Sequence, residues 1–539
     1  MRGPILWLFA AGFLAAQDQG SQIDKMFESF SGKSPGCSVG VSRNGKTVFQ
    51  KSYGMADLEH DIPLTPESTF YMASVSKQFT AMSVLLLAED GKIQLSDSIR
   101  KTIPDLPDYA NRITLYHLLT HTSGVRDYLT LGALAGLPED SVYTDRSALH
   151  MITRQSALNF EPGSEFLYSN SGYVLLSLVV KRVAGENLDA FAREKIFGPL
   201  GMNATRFQHD HSSLVPGKAF GYQRRGGVWH TSNSMLDVVG DGGLYSSAAD
   251  MLRWLANFDD PKVGAKALET MRIAGKLRSG REIPYGMGLA PGNVRGLATV
   301  QHGGGLAGYR THVLWFPAQR LSVVCLCNNG SANPSDLAGK MAELYLSADM
   351  KSPAVAAKRN VSAISLSAEE VHAKAGLYRR EEGGYIDIVE RDGKLFRSGA
   401  PNNLIALDNR RFTDKDAPEG WELQFDSGNP AKSLELRQPG DPPAHFERAT
   451  PVALSEGEMK AYIGDFESAE LGAKYRILAD AQGLSVEAGD EPGRKIESTG
   501  ADRMRAGGLE IMFHRDSAGK VDGFYLSAGR VRNVQFRRI

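Results

Sequence analysis

With 539 residues, 42% of them hydrophobic, the chain is too long for one ordinary domain and predicts two to four. Its 61 basic and 62 acidic side chains give a formal charge of −1, which offers no general electrostatic reason to bind nucleic acid or an anionic membrane. No phosphate loop or dinucleotide fingerprint occurs in the sequence, so we expect no cofactor.

The N-terminus has the pattern of a secretory signal. Arg2 precedes an apolar run from Ile5 to Ala16, and polar residues follow at 17–19. This run is too short to span a bilayer as a mature helix. We therefore predict a signal peptide over residues 1–16 and a secreted or periplasmic bacterial protein; a retained N-terminal anchor is the alternative.

Strand patterns open and close the next long segment. Cys37 to Val41 and Thr47 to Tyr53 flank Arg43-Asn44-Gly45, a strong hairpin signal, and strands return at 311–316 and 321–327. Helical patterns dominate from about residue 74 to residue 202. This order predicts one α+β domain over residues 22–347, with an antiparallel sheet that pairs its first and last strands and a helix near 337–346 that closes it.

The three cysteines all lie in these strand-like runs. Because of this placement we interpret Cys37, Cys325 and Cys327 as small buried apolar residues, and no histidine motif accompanies them to indicate a nucleophile. A disulfide between Cys37 and either Cys325 or Cys327 is the alternative, since the periplasm permits one.

The C-terminal third changes to short alternating strands and Gly/Asp turns. Residues 348–364 read as a linker, and an internal repeat of about ninety residues follows. Each copy has enough strand signals for a small antiparallel, lipocalin-like β-barrel, over residues 365–449 and 456–539. The matching triplets are Gly376-Leu377-Tyr378 with Gly464-Asp465-Phe466, and Phe446-Glu447-Arg448 with Phe536-Arg537-Arg538.

Ser74-Val75-Ser76-Lys77 is the strongest chemical signal in the chain. The apolar spacing that follows predicts a buried helix capped by Gly91, so Ser74 would lie at a helix N-terminus with Lys77 one turn on. Free N–H groups and the helix dipole favour an alkoxide there, as a lysine-assisted nucleophile requires. A second Ser-x-x-Lys motif, Ser517 to Lys520, lies in a Gly- and Asp-rich turn, where no element could organise a nucleophile.

Two later motifs supply partners for this serine. Tyr168 could act with Lys77 as phenolate or proton shuttle, and either of the two could be the base. Asn170 offers an amide that can hold a substrate amide and Lys77 together. In His302-Gly303-Gly304 the glycines let an edge strand approach the substrate closely.

These motifs resemble the penicillin-binding protein and class C β-lactamase family of serine hydrolases over roughly residues 35–345. With the two trailing barrels, the chain is most similar to the D-aminopeptidase branch, and Arg310 after the His-x-Gly supports this. Further stretches that carry the resemblance are His121-Thr122-Ser123-Gly124, Ser123 to Tyr128, Glu161-Pro162-Gly163, Gly240-Asp241-Gly242-Gly243-Leu244 and Tyr285-Gly286-Met287-Gly288.

The resemblance implies roles for several residues. The N–H groups of Ser74 and Gly305 would form an oxyanion hole, with Gly304 beside it. His302 replaces the lysine of true β-lactamases, and a neutral histidine suits a substrate carboxylate less well. Arg310 would orient the substrate or anchor a barrel loop near Asp502; a strand-edge salt bridge is the alternative.

No metal site is expected. His117 and His121 have the i, i+4 spacing of a zinc helix, but no glutamate follows His117 as the zinc motif requires, so we assign them structural roles. His209 and His211 lie in a polar loop and are expected to face solvent.

The leading hypothesis is a serine hydrolase that forms an acyl-enzyme on peptide or amide substrates, aminopeptidase-like and with a D-amino-acid preference. The alternatives are an esterase or weak β-lactamase or DD-peptidase of the same family, and a non-catalytic cell-wall binding protein. The expected partner is a small peptide, amide or ester. The barrels would gate the substrate, bind cell-wall peptides or form a homodimer.

Overall fold

The computed structural model describes residues 19–30, 32–138, 140–351, 364–380, 383–400, 402–414, 421–438, 443–489 and 492–539. The predicted signal peptide and most of the predicted linker lie outside these residues. The chain divides into two compact units: Met1–Leu129 with Pro138–Pro353, and Thr130–Leu137 with Ala354–Ile539. Within the described residues, every helix is too short or too polar to cross a membrane.

The first unit combines short sheets with a helical region. Its helices are α1 (residues 19–26), α2 Lys77–Glu89, α3 Leu115–Leu119, α4 Tyr128–Leu134 (which ends in the second unit), α5 Asp145–Thr153, α6 Asn170–Ala184, α7 Leu188–Ala192, α8 Gly198–Leu200, α9 Ala248–Asp259, α10 Ala265–Met271 and α11 Pro334–Leu346. Short 3-10 segments occupy Glu28–Phe30, Ala73–Ser76, Ile99–Lys101 and Asp108–Arg112, and a π-helical turn occupies Arg193–Phe197.

The strands of this unit are β1 Cys37–Arg43, β2 Lys46–Tyr53, β3 Met55–Asp57, β4 Ile62–Pro63, β5 Thr69–Tyr71, β6 Tyr143–Thr144, β7 Arg206–Phe207, β8 Tyr222–Arg225, β9 Val228–Thr231, β10 Leu236–Asp237, β11 Leu244–Ser247, β12 Ala290–Val294, β13 Leu297–Leu306, β14 Tyr309–Phe316 and β15 Leu321–Cys327. The main sheet has six strands in the order β12-β13-β14-β15-β1-β2, all antiparallel neighbours.

The first and last strands of the domain do pair, as the sequence predicts. β1 runs antiparallel to β15 from the pair Cys37 and Cys327 to the pair Arg43 and Leu321. The β1–β2 hairpin turns at Asn44 and Gly45, which both adopt positive φ, 52° and 71°, as a type I′ turn requires. The α+β prediction is therefore confirmed, with helices packed on a continuous antiparallel sheet.

A disulfide bond links Cys37 to Cys327, which lie directly opposite each other on β1 and β15. The interpretation of all three cysteines as free apolar residues is therefore wrong for these two. Cys325 remains a free, fully buried thiol, and burial raises its pKa far above the ordinary range. One residue separates it from Cys327 on the same strand, and Cys325 lies opposite Val39, so only Cys327 lies directly opposite Cys37.

Helix α2 is buried on nearly all sides. Its lysine and its polar residues at 78, 80 and 83 are as inaccessible as its apolar ones. The helix ends where Gly91 takes φ of 72° and its N–H bonds to the carbonyl of Ala88, a cap that glycine adopts without strain. α2 packs against α6, so the Ser74–Lys77 motif at its start lies on the buried core of the unit.

The second unit contains two nearly closed antiparallel sheets. The first has eight strands in the order β18-β17-β16-β23-β22-β21-β20-β19, and the second has nine in the order β27-β26-β25-β24-β32-β31-β30-β29-β28. A bridge between Phe396 and Asn403 brings the ends of the first sheet together. Both sheets match the predicted barrels.

The remaining elements of this unit are α12 Ala368–Lys374, β16 Gly376–Arg379, β17 Tyr385–Arg391, β18 Lys394–Arg397, β19 Leu404–Ala406, β20 Arg411–Asp414, β21 Glu422–Phe425, β22 Ser433–Arg437, β23 Ala444–Arg448, α13 Glu456–Met459, β24 Gly464–Ser468, β25 Ala473–Asp480, β26 Gly483–Ala488, β27 Arg494–Lys495, β28 Glu497–Gly500, β29 Arg503–Ala506, β30 Leu509–Arg515, β31 Val521–Ala528 and β32 Val531–Arg538.

The internal repeat has a physical basis in one arginine per barrel. In the first barrel the Arg448 guanidinium lies 5.0 Å from the Tyr378 ring centroid and donates to the carbonyls of the helix before β16. In the second, Arg538 lies 4.8 Å from the Phe466 ring and donates to the carbonyls that precede β24. A Cβ at Gly376 or Gly464 would collide with the respective arginine, so both copies need glycine at this position.

Candidate active site

Ser74 lies in a strained turn between β5 and α2. The segment Ala73–Ser76 is a 3-10 turn, and α2 begins at Lys77. Ser74 therefore lies in the turn that leads into α2 and not at the first position of that helix, where the sequence predicts it. Ala73 adopts φ of 47°, which costs energy for a residue with a Cβ. Ser74 is partly exposed although its neighbours are buried, so the turn presents one hydroxyl to solvent.

The ammonium group of Lys77 is completely buried and has three acceptors. Its Nζ lies 3.1 Å from Ser74 Oγ, 2.9 Å from Asn170 Oδ1 and 2.7 Å from the carbonyl oxygen of Asp241. The three N–H groups of a lysine ammonium thus have three oxygens to which they can donate. The structure therefore brings together Ser74, Lys77 and Asn170, three of the predicted site residues.

Asn170 is the first residue of α6, and its main chain is held as firmly as its side chain. Its N–H donates to Asp127 Oδ2 over 2.7 Å. A carboxylate at a helix N-terminus is favourable because the helix dipole and the free N–H groups both attract it. Asp127 therefore fixes the amide that contacts Lys77.

Tyr168 completes this group. Its ring centroid lies 4.9 Å from Lys77 Nζ, and the Tyr173 ring lies 5.5 Å from the same atom. The Tyr168 ring also packs on the His121 ring, with the centroids 4.0 Å apart. The His121 ring also accepts the N–H of Ser169, so this histidine orients the Tyr168 segment.

His302 is held neutral. Its Nδ1 lies 2.7 Å from the carbonyl of Gly303, which requires an N–H there, so Nε2 accepts the hydroxyl of Tyr285 at 3.0 Å. Burial, with a smaller contribution from the Lys77 charge, lowers the pKa of His302 to about 3. The site therefore offers no second cation where true β-lactamases carry lysine.

The glycines of β13 differ in what they allow. A Cβ at Gly304 would overlap the Met72 carbonyl and the Thr311 hydroxyl, so only glycine lets β13 approach the turn that carries Ser74. Gly305 pairs with Arg310 across the β13–β14 hairpin, and both Gly303 and Gly305 are exposed. Gly304 is therefore the position of closest approach.

Arg310 donates from one nitrogen to the carbonyls of Ala307 and Tyr309 and so braces the hairpin turn beside Gly305. The Asp502 carboxylate, which the sequence suggested as its partner, is instead bound by Arg515 and by the Tyr462 hydroxyl within the second barrel. Arg310 and Asp502 thus each have partners within their own unit, and a pair between them stays a prediction.

Sequence reasoning assigned no role to Asp241 or Tyr128. Asp241 is 5% exposed, and the fully buried Tyr128 hydroxyl donates to its Oδ2 over 3.1 Å. Burial raises the pKa of Asp241 to about 6, against the opposing effect of Lys77. Both residues lie in motifs quoted above for their resemblance, but nothing in their spacing shows that they meet.

His117, His121 and His211 have local partners, and the prediction that His209 and His211 face solvent is wrong because both are half-buried. His117 forms a capping box with Thr114 at the start of α3, and His121 serves the Tyr168 segment, so the two do not share a ligand position. His211 Nδ1 lies 3.0 Å from Asp237, with Asp210 close by. Such partly exposed acidic groups are common in proteins without a bound metal ion.

The strand beside Ser74, β13, has β12 and β14 as neighbours and is not the edge strand that the sequence predicts. The site beside it combines an accessible serine, a buried lysine on the serine hydroxyl and an adjacent tyrosine, which are the groups of a serine hydrolase. The chain belongs to the β-lactamase family. The family's sequence model, described as Beta-lactamase, matches residues 23–347.

Similar proteins agree with this assignment. The chain is 30% identical to a D-aminopeptidase of Gluconobacter oxydans over 302 residues, which are 55% of this chain and 56% of that protein. It is 26% identical to a D-aminopeptidase of Brucella anthropi over 94% of this chain and 96% of that protein. The solved structure of an octameric penicillin-binding protein homologue from Pyrococcus abyssi has a similar fold, with 23% identity, a TM-score of 0.55, and coverage of 80% of this chain and 99% of that one.

Proposed function

We propose that this serine hydrolase cleaves amide bonds through an acyl-enzyme on Ser74, with D-amino-acid amides and peptides with an N-terminal D-residue as substrates. The observation that carries the proposal is the contact of 3.1 Å between Lys77 Nζ and Ser74 Oγ. The D-aminopeptidase relatives support the substrate class, and one of them is similar over almost its whole length.

The reaction uses groups already in place. Ser74 Oγ attacks the amide carbon while its proton passes to Lys77 or Tyr168, and the carbonyl oxygen gains the negative charge. The N–H groups of Ser74 and Gly305 bind this oxyanion, and Asn170 orients the amide. When the tetrahedral intermediate collapses, the C–N bond breaks and the proton taken from Ser74 goes to the leaving nitrogen. Water then attacks the acyl-enzyme in the same way, and the carboxylic acid is released from Ser74.

A neutral His302 shapes the substrate preference. β-Lactams and cell-wall peptides with a free C-terminus present a carboxylate, which a cation would stabilise. With the pKa of His302 at about 3, no such charge exists at neutral pH in this position. This favours substrates whose leaving side is an uncharged amide over β-lactams and DD-peptides.

We further propose that the protein works outside the cytoplasm, in the periplasm or secreted. The N-terminal signal pattern supports this, and so does the Cys37–Cys327 disulfide, because such bonds persist in oxidising compartments. A cytoplasmic protein with both cysteines reduced in cells would contradict this location.

The test of function combines labelling with stereochemistry. A fluorophosphonate should add one adduct to the full chain, on the peptide that contains Ser74. Ser74→Ala should abolish it and reduce hydrolysis by about three orders of magnitude or more. Ser517→Ala, which changes the serine of the second Ser-x-x-Lys motif, is the matched control and should behave as wild type.

Substrate pairs then decide the class. D-alanine p-nitroanilide should be cleaved and its L-isomer much more slowly, with p-nitrophenyl butyrate and nitrocefin as esterase and β-lactamase probes. Equal rates on the two isomers, or a rate on nitrocefin above that on the D-anilide, would refute the proposed preference.

A further inference from the structure

The second unit contains a cavity of about 260 Å³ with a mostly apolar lining, which we call the barrel cavity. The end of α4, the strands β25 and β26, and the turns that follow β29 and β31 contribute to it. Its apolar surface includes Leu134, Val486 and Leu509. Pockets for drug-sized ligands have volumes of roughly 300–1,000 Å³, so the barrel cavity suits a smaller molecule, of about a dozen non-hydrogen atoms.

Arg494 is the one charged side chain among the described residues that line the barrel cavity. It lies on β27, directly opposite Val486 of β26. Residues directly opposite each other on antiparallel strands project to the same face of the sheet. Val486 is 2% exposed and belongs to the inner face of the barrel. The register therefore places a cation on the apolar face of this sheet.

The guanidinium of Arg494 has no ion pair or hydrogen bond with any other described residue. Arg494 is exposed although it lines the barrel cavity, so its charge stands where the cavity meets solvent. A carboxylate fits a free guanidinium well, because its two oxygens accept two parallel N–H bonds and its single charge is balanced. A phosphate monoester would bring almost twice that charge.

The rest of the lining excludes a second charge on the ligand. Within the described part of the chain, no acidic side chain lines the barrel cavity, so an ammonium group would find no counter-charge there. The Tyr475 hydroxyl, one of the few polar groups present, already donates to the carbonyl of Leu134 over 2.9 Å. The ligand that matches this surface is therefore apolar, with one carboxylate and no amine.

We propose that the barrel cavity binds a small apolar monocarboxylate, an aryl- or alkyl-substituted alkanoate. The apolar body lies against Leu134, Val486 and Leu509, and the carboxylate pairs with Arg494. This site is separate from Ser74 and does not depend on the proposed hydrolysis. A free D-amino acid, the product of that hydrolysis, is excluded from it by its ammonium group.

A structural role for Arg494 makes a different prediction. β27 is the last strand of its sheet, and an inward-pointing charge on such a strand prevents pairing with another chain. In that role Arg494 would control the association of the chain, and the affinity for a carboxylate would not depend on it. An Arg494→Gln chain that associates but binds the carboxylate as wild type does would overturn the proposal.

Titration of the full chain with 3-phenylpropanoate, followed by calorimetry, tests the site. We expect a dissociation constant on the order of a millimolar, as the small size of the ligand implies. Arg494→Gln should weaken binding by about tenfold or more, because the charged pair is lost. Lys495→Gln is the matched control. It removes the same charge from the next residue of β27, which lies opposite Ser485 and projects to the other face, and the affinity should be unchanged.

Two further ligands separate the charge from the apolar body. 3-Phenylpropan-1-ol has the same body without the carboxylate, and D-phenylalanine adds an ammonium group to it. The alcohol should bind wild type more weakly than the acid does, and Arg494→Gln should leave its affinity unchanged. D-Phenylalanine should show no affinity that depends on Arg494. Equal affinity of the acid for wild type and Arg494→Gln, or equal losses for acid and alcohol, would refute the site.

A last variant fills the barrel cavity and keeps the charge. Ala488 lies opposite the buried Tyr475 and shares its face of the sheet, so Ala488→Leu should weaken the acid and the alcohol alike. Unchanged affinity in Ala488→Leu would place the ligand elsewhere and overturn the proposal, even if Arg494→Gln does not fold. Ser74→Ala should bind 3-phenylpropanoate as wild type does, so failure of the proposed hydrolysis leaves this test intact.

Discussion

Gly304 contributes no side chain to the site, and the space around it admits none. It lies where β13 passes the turn of Ser74, against the Met72 carbonyl and the Thr311 hydroxyl. Thr311 Oγ1 also donates to that same carbonyl over 2.9 Å, so strand and turn share one bond network. The geometry around Ser74 thus depends on the absence of a side chain at Gly304 as much as on the presence of Lys77.

Gly304→Ala should therefore reduce the fluorophosphonate labelling rate by about a hundredfold or more, because a displacement near 1 Å at a catalytic centre has that cost. Gly303→Ala is the matched control. Its Cβ would lie 3.4 Å from His312 Nδ1, an ordinary contact, and the labelling rate should stay within a few-fold of wild type. Equal losses in the two variants would show that the close approach at Gly304 is unimportant.

His312 on β14 makes the stability depend on pH. It is 6% exposed, its Nε2 has no hydrogen-bond partner among the described residues, and burial lowers its pKa to about 4. The unfolded chain binds a proton on this residue as the pH falls below 6.5, whereas the folded chain does not until about pH 4, so folding loses stability across that window.

Between pH 7.5 and pH 5 this difference amounts to about 2 kcal/mol. His312→Gln should remove that part of the loss, measured as the change in unfolding free energy by urea at the two pH values. His302 and Asp241 contribute equally to both chains and cancel in the comparison. His150→Gln, at an exposed position on α5, is the control. A wild-type chain and a His312→Gln chain with the same pH dependence would refute the assignment.

At the scale of elements, local sequence patterns predict local structure. They do not predict the register between strands that are far apart in the chain. The Asn44-Gly45 hairpin, the helix after Ser74 and the pairing of first and last strands follow from short sequence signals. The disulfide does not, because the choice between Cys325 and Cys327 depends on which one faces Cys37 across two strands 290 residues apart. Asp241 and His121 reach the site through tertiary packing, which spacing along the chain does not show.

The pairing of β1 and β15 gives a thiol count that can be measured. Denatured without reductant, the chain should take up one iodoacetamide, on Cys325, and after reduction it should take up three. The native chain should take up none, because Cys325 is fully buried. Cys37→Ala with Cys327→Ala should lower the unfolding free energy by several kcal/mol, since the bond closes a very long loop. Labelling of Cys37 or Cys327 before reduction would exclude this pairing.

At the scale of the whole molecule, the second unit is more than a C-terminal addition. It includes residues 130–137, which follow directly after Asp127 and Tyr128 in the chain. Within this unit the buried Tyr475 hydroxyl of β25 donates to the carbonyl of Leu134 over 2.9 Å, at the end of α4. Every predicted catalytic residue precedes Ala348, but a chain ending there would lose the partner that holds this helix end.

We therefore expect a chain ending at Ala348 to be labelled by fluorophosphonate more slowly than the full chain, even though every predicted catalytic residue is retained. Loss of the packing on residues 130–137 should loosen Asp127 and Tyr128, and with them Asn170 and Asp241. In the full chain, Tyr475→Phe removes only the hydroxyl and should cost about 1 kcal/mol of stability, with a smaller effect on labelling in the same direction. Tyr525→Phe, in the same barrel and with its ring against that of His514, is the control and should match wild type. A folded chain ending at Ala348 with the full labelling rate would show that residues 130–137 hold their conformation without the barrels.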